Sequence, residues 1–359
     1  MAATGQNVGK TTLCLGMISG FRKHYPRLGF IKPVGQQHQK VDGGLLVDKD
    51  VVLFKEYFHL PSNYADMSPV IFPQGFTRDF IDGKVSRDDL VARIRKSYET
   101  ISKANDFTLV EGTGHVGVGS IVDLNNAQVA RELGLNVVLI AEGGLGSAFD
   151  QLALNRALCL KMGLNVSGVI LNRVLDQKRE MVIDYMTRAL APLDIPLIGA
   201  IPYNKLLSTP SMQDFEALFK TYLLAGEDFH YRHFTSMRLV ATSAKMFAEV
   251  VGHDELIVTP ATREDIIHVL LQRDKDTRKE EPEYGLILTG RYPPEKELIE
   301  KLKRAKIPTL YCAYPTFDVM LMINTYTAKT QKEDVKKIKM AIDIVESHLD
   351  FNLLMQAAD

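Results

Sequence analysis

Lys10, Thr11 and the glycines before them are the residues of this chain whose types and spacing best suit chemistry. The run Ala3-Thr4-Gly5-Gln6-Asn7-Val8-Gly9-Lys10-Thr11-Thr12 reads as a loop that wraps phosphate. Glycines let the backbone turn tightly and aim its N–H groups inward as an anion cradle. The Lys10 ammonium would reach the outer phosphates of a nucleotide, and the Thr11 hydroxyl would ligate Mg²⁺. Thr4, Gly5, Gln6, Asn7, Val8, Gly9 and Thr12 would complete the cradle. The helix that follows would add its positive N-terminus. A strict loop of this kind has its first glycine where Thr4 stands, so Ala3 or Gly5 must supply the small residue and the loop is a variant. The bland alternative is a glycine-rich turn before Lys-Thr; the motifs downstream weigh against it.

Three further positions fall where a phosphate site would need them. Phe107-Thr108-Leu109-Val110 reads as a buried strand ending at Glu111-Gly112-Thr113-Gly114. A carboxylate at the end of a core strand is where a P-loop protein reaches its Mg²⁺, although a loop acid is the alternative. Lys32 ends the strand Leu28 to Val34, which Pro33 interrupts; strand ends are where α/β sheets hold ligands, but a solvated lysine reads equally well. Asp50 opens an apolar helix, either to offset the helix dipole or to face the metal. Asn172, after the strand Val166 to Leu171, could present its amide to a base edge. His115 is as well explained by a local hydrogen bond as by a ligand.

The elements around these residues alternate. Strands at 137–141, 166–171 and 196–202, with a helix at 148–162, argue an α/β fold with a doubly wound parallel sheet. Only Met1 and Ala2 precede the phosphate loop, too few for the buried strand that normally feeds it, so the sheet is expected to lack its first strand. Thr209-Pro210 reads as the start of a helix. A second, smaller α/β domain follows, with strands at 255–259, 284–290 and 308–312. Its helices are expected from Arg263 to Leu271 behind Thr262, from Glu295 to Ala305, and from a Thr330/Glu333 capping box to about His348; Asp274 to Glu283 reads as a charged loop. The expected domains are 1–220, a connector at 221–236, and 237–359, with residues 1–236 able to stand alone.

Composition bounds the function. Hydrophobic content of 46% with 24% charged residues suits a globular protein with a core in each domain. A net charge of −1 gives no electrostatic case for nucleic acid or an acidic membrane. No apolar run is long enough to span a bilayer. Cys14, Cys159 and Cys312 lie far apart in apolar surroundings, as buried thiols of a reducing, cytoplasmic setting do and metal ligands or disulfides do not.

The ordered set Ala3–Thr12, Phe30-Ile31-Lys32-Pro33-Val34, Asp50, Leu109 to Gly114 and Leu171-Asn172 resembles the dethiobiotin synthetase family of P-loop enzymes. The run Glu111 to Gly119 resembles more closely the matching N-terminal domain of the long form of phosphate acetyltransferase, and Leu256 to Leu271 with Leu288-Thr289-Gly290 resembles the DRTGG domain that follows there. The resemblance implies ATP and Mg²⁺ as cofactors. It implies metal contacts from Thr11, Asp50 and Glu111, catalytic roles for Lys10 and Lys32, and adenine reading by Asn172. Gly35, Gln36 and Gln37 stand where the synthetases carry small and serine residues, so the acceptor need not be theirs. Two functions follow as expectations: an ATPase or ATP-dependent ligase-like enzyme, or a nucleotide-sensing module. The related cobyrinate diamide synthases would need a glutaminase cysteine, which none of the three supplies. No acetyl-transferring domain is recognisable. The expected partners are nucleotide, a small anionic effector at Thr259–Arg263 with Thr289–Arg291, and a second copy in a homo-oligomer such as a dimer.

Overall fold

Helix Lys10–Phe21 is apolar on nearly every side: Leu13, Cys14, Leu15, Met17, Ile18 and Phe21 are all fully buried. Such a helix needs cover all round, and the first unit of the fold is built to give it. In the computed structural model, which describes residues 1–277 and 281–358, that unit comprises Met1–Asn204 and Thr330–Asp359, and the second Lys205–Lys329.

The first unit is α/β. Strands Ala2–Ala3, Val137–Glu142, Val166–Val174 and Leu197–Pro202 pair in parallel in that spatial order. Strands Leu28–Ile31 and Phe107–Val110 form a separate parallel pair. Met1 joins the two groups: its ammonium donates to the Val110 carbonyl at 2.7 Å, and its carbonyl accepts from Gly112 N–H at 2.9 Å. The first strand is therefore a two-residue stub in the middle of the sheet. Helices 146–161 and 179–190 cover one face, packing Leu152, Cys159, Val182 and Met186 on Leu139, Val169 and Leu171.

The C-terminal segment corrects the sequence reading. Residues 330–359 belong to the first unit, not to a second domain running to the end of the chain. Asp334, not Thr330, caps helix Val335–Glu346, accepting from Lys337 N–H, and helix Phe351–Gln356 follows. The reason lies in Gly16 and Gly20. A Cβ at Gly16 would stand 2.3 Å from the Val345 Cβ, and one at Gly20 2.1 Å from the Phe351 ring. The two glycines form the seat for the returning helices, a long-range fit that local pattern does not reveal.

The second unit is a five-stranded sheet in the order Leu223–Ala225, Thr309–Cys312, Tyr284–Thr289, Glu255–Pro260, Ser236–Leu239; only Leu223–Ala225 runs antiparallel. Ile257, Leu286 and Leu288 pack on Ile266, Leu270 and Leu302, while Val258, Ile287 and Leu310 pack on Phe215 and Val319. Three local expectations shift. The helix read from Thr209-Pro210 starts at Met212, where Ser211 and Asp214 form a reciprocal capping box. The helix read from Arg263 starts at Glu264 and continues to Thr277, through the start of the expected charged loop. Residues 278–280 of that loop lie outside the described residues. Helix Thr316–Thr325 had no counterpart in the sequence reading.

All three cysteines are buried and free. No helix among the described residues is long and apolar enough to cross a membrane.

Gly16→Ala should lower stability by about 1–3 kcal/mol, the range for overpacking a full core. A chain ending at Lys329 should lose more, because Ile338, Ala341, Val345 and Leu354 are buried and each is worth roughly 1–3 kcal/mol. Urea unfolding measures both. A shortened chain as stable as the whole would mean that the last thirty residues add nothing to the first unit.

Candidate functional site

The loop leaves the stub strand with its backbone already turned. Thr4 N–H donates to the Ile140 carbonyl at 2.9 Å, and Asn155 Nδ2 donates to the Thr4 carbonyl at 3.1 Å. Asn7 and Gly9 have left-handed backbones, at φ 57° and 100°. Gln6 and Asn7 are exposed, Gly5, Gly9, Thr11 and Thr12 half-buried, and Thr4, Val8 and Lys10 buried. Gly9 stands at the N-cap of helix Lys10–Phe21 with no side chain capping it, so the first-turn N–H groups face the loop's interior.

Gly9 is required twice over. Its φ suits glycine, and a Cβ there would sit 2.1 Å from Asn172 Nδ2. Asn172 is buried; it donates to the Val8 carbonyl at 2.7 Å and accepts from Arg173 N–H at 3.0 Å. In this state its amide ties the strand end to the phosphate loop.

Lys10 donates to the Gly114 carbonyl at 2.6 Å. Burial draws its pKa below the ordinary lysine value, against the opposing pull of Glu111. Thr11 Oγ1 donates to Glu111 Oε1 at 3.3 Å. Glu111 Oε2 is buried and has no hydrogen-bond partner. Burial raises the Glu111 pKa, with Lys32 pulling it back.

Lys32 lies at the centre. It is buried and ion-paired to Asp50, to Asp48 at 3.2 Å and to Glu111 at 3.4 Å. Burial alone would depress its pKa, but Asp50, Glu111 and Asp48 outweigh it and hold the ammonium well above the usual lysine value. The solvated-lysine reading is excluded. Asp48 is the member that the sequence reading passed over. It caps helix Lys49–Phe58 by accepting from Asp50 N–H at 3.0 Å, and the same Oδ1 faces Lys32. A cap residue carries no local sign of a second task.

Lys10 and Lys32 thus face three carboxylates, Asp48, Asp50 and Glu111. The oxygens of Thr11, Asp50 and Glu111 are the hard donors Mg²⁺ takes, and the unpartnered Glu111 oxygen is one that a cation would satisfy. The donor set fits such an ion; Lys32 presently holds two of its members.

Residues 1–211 match the AAA_26 family, an AAA domain. The chain belongs to this AAA domain family. Residues 217–326 match the DRTGG domain. Phosphate acetyltransferase of Nitratidesulfovibrio vulgaris is 26% identical over 98% of this chain, and that of Pseudomonas aeruginosa 25% identical over 99%. The chain spans about half the length of each, 50% and 51% respectively. The ATP-dependent dethiobiotin synthetase of Caldicellulosiruptor saccharolyticus is 24% identical over 60% of this chain and 90% of its own.

The loop behind Glu111 in this AAA domain is held by a residue the sequence reading missed. Asn126 accepts from Thr113 N–H at 3.0 Å and donates to the Thr113 and His115 carbonyls, both at 2.8 Å. His115 is exposed, and its Nδ1 accepts from Gly117 N–H, the local bond that was one of its two readings. In the DRTGG unit, Arg263 is taken up by Asp265 at 2.9 Å and by the Thr242 carbonyl, and Thr289 pairs with Thr316 at 2.7 Å. The expected anion surface there has its first arginine already engaged.

Lys32→Met should destabilise the AAA domain by about 3–5 kcal/mol at pH 7.5, since it leaves buried carboxylates without their cation. The sign with pH follows from burial, which raises the Asp48 and Glu111 pKa values even beside Lys32. Carboxyls with raised folded pKa bind protons more tightly in the folded state, so falling pH favours folding of the variant. Its deficit against the unaltered chain should shrink between pH 7.5 and 5. Equal deficits at both pH values in urea unfolding would refute the charge cluster as the cause.

Proposed function

We propose that the AAA domain binds Mg-ATP in the loop Thr4 to Thr12 and transfers or hydrolyses the terminal phosphoryl group beside Lys32. The observation that carries this is that Glu111 gathers the Thr11 hydroxyl, the buried Lys32 and the charge of Lys10 at the end of the loop. Each residue has a role set by its position. The loop N–H groups and the helix N-terminus hold phosphate oxygens. Lys10, released from the Gly114 carbonyl, reaches the outer phosphates. Thr11, Asp50 and Glu111 hold the metal, which when bound neutralises charge on the phosphate oxygens. Lys32, displaced from Asp50, stabilises negative charge on the transferred group or on an acceptor carboxylate or carbamate. Asn172 reads the base only by giving up Val8. The acceptor is not defined by any side chain that these residues bring together.

A second reading has its own support. The chain spans half the length of the phosphate acetyltransferases it resembles, so the AAA domain could report nucleotide to a partner activity without turning it over. In that reading the DRTGG unit senses a small anionic effector, and the protein works as a homo-oligomer.

Titration calorimetry tests the site. Lys10→Ala should weaken Mg-ATP by roughly tenfold or more, the worth of a charged hydrogen bond. Glu111→Gln should weaken binding in Mg²⁺ but not in EDTA. Equal loss in both media would make Glu111 a structural residue. Phosphate release by the unaltered chain separates the readings: turnover supports phosphoryl transfer, and tight binding without turnover supports sensing.

A further inference from the structure

The face of the first sheet that helices 146–161 and 179–190 cover is not completely filled. A pocket of about 180 Å³ remains there, and its floor is apolar: Leu139, Leu152, Val169 and Leu190 line it and are all buried. Its rim is one stripe of helix Gly146–Lys161, because Ala153, Arg156, Ala157 and Leu160 recur at i, i+3, i+4 and i+7. Ala153 and Ala157 are exposed. Each carries only a methyl group, too little to close the rim over the floor.

Arg156 is the one charged residue in that lining, and it is half-buried. Among the described residues no carboxylate, carbonyl or aromatic ring takes up its guanidinium. The positions three and four residues away on the helix, Leu152, Ala153, Cys159 and Leu160, carry no acid, so the helix supplies no ion pair of its own. Arginines on neighbouring elements differ: Arg173 is paired with Glu142 and Arg188 with Asp184. The bland reading of Arg156 is a stem that covers apolar surface and a head in water. Against it, the apolar surface beside the stem is left open as the pocket.

We propose that this pocket binds a small carboxylate with an apolar body, the body on the Leu139–Val169 floor and the carboxylate on Arg156. Size sets the body: apolar cavities of about 150 Å³ take a benzene-sized guest, so about five to seven carbons fit here. Charge sets the head, since the guanidinium fork matches a carboxylate through two parallel hydrogen bonds. The floor offers no side-chain donor or acceptor, which disfavours a polar body. The site is separate from the phosphate loop. Val166 and Ile195, which also line the pocket, stand at the starts of strands Val166–Val174 and Leu197–Pro202. The phosphate loop, Lys32 and Glu111 instead follow strand ends, at the opposite edge of a parallel sheet. The ligand is therefore an effector of the first unit and not the phosphoryl acceptor.

Titration calorimetry of the full chain with hexanoate, hexanol and acetate tests both halves of the site. Hexanoate should bind about tenfold more tightly than hexanol, the worth of a charged hydrogen bond. It should also bind about tenfold or more above acetate, which leaves the floor uncovered. Arg156→Gln removes the charge from the rim and leaves the floor intact. It should weaken hexanoate by about tenfold and leave hexanol unchanged. Methyl NMR locates the ligand: hexanoate should shift the Leu139 and Val169 signals of the unaltered chain. The ligand series and the NMR need no variant, so the proposal stays testable if Arg156→Gln does not fold. No hexanoate binding at about 10 mM, a weaker affinity than any specific site would show, would overturn it. So would acetate binding as tightly as hexanoate, a folded Arg156→Gln chain that keeps full hexanoate affinity, or shifts confined to residues outside the pocket.

Discussion

The burial of helix Lys10–Phe21 on all sides is the constraint on which the rest depends. A phosphate loop works only if the helix behind it is immobile, because the first-turn N–H groups are the cradle. Here immobility is obtained by surrounding the helix. The sheet lies against it, and the C-terminal helices close on Gly16 and Gly20. Its buried apolar side chains outweigh the weak hold of one short loop. The end of the chain therefore supports the site at its beginning, although it contributes no residue to it.

The charge cluster depends on the same rigidity. Lys32, Asp48, Asp50 and Glu111 come from two strand ends and a helix start, and they meet with little solvent between them. Three carboxylates this close are tolerable only around a cation. Lys32 supplies it. Its compact ammonium meets all three carboxylates, where the planar fork of an arginine would not fit.

The two units use the α/β plan differently. In the first, the phosphate loop follows the short strand Ala2–Ala3, which pairs with Val137–Glu142. In the second, Arg263 is held by Asp265 and Thr289 by Thr316, while Thr259 Oγ1 is buried without a partner. The phosphate-loop motif lies in the first unit.

The sequence by itself determined the phosphate loop, the strand that ends at Glu111, the strand that ends at Lys32, the parallel α/β plan and the two matching families. These are legible because they rest on short-range rules: glycine spacing, apolar runs and turn residues within a few positions of one another. It did not determine that Asp48 shares Lys32, that Asn172 and Asn126 brace the loops, or that residues 330–359 return to the first unit. Each of those depends on groups tens to hundreds of residues apart, and a capping Asp, a strand-end Asn or an amphipathic helix looks the same locally whatever it meets. Only tertiary packing decides the partner, because the energy that selects it, burial of charge beside charge and of Val345 against Gly16, exists only once the distant segments are in contact.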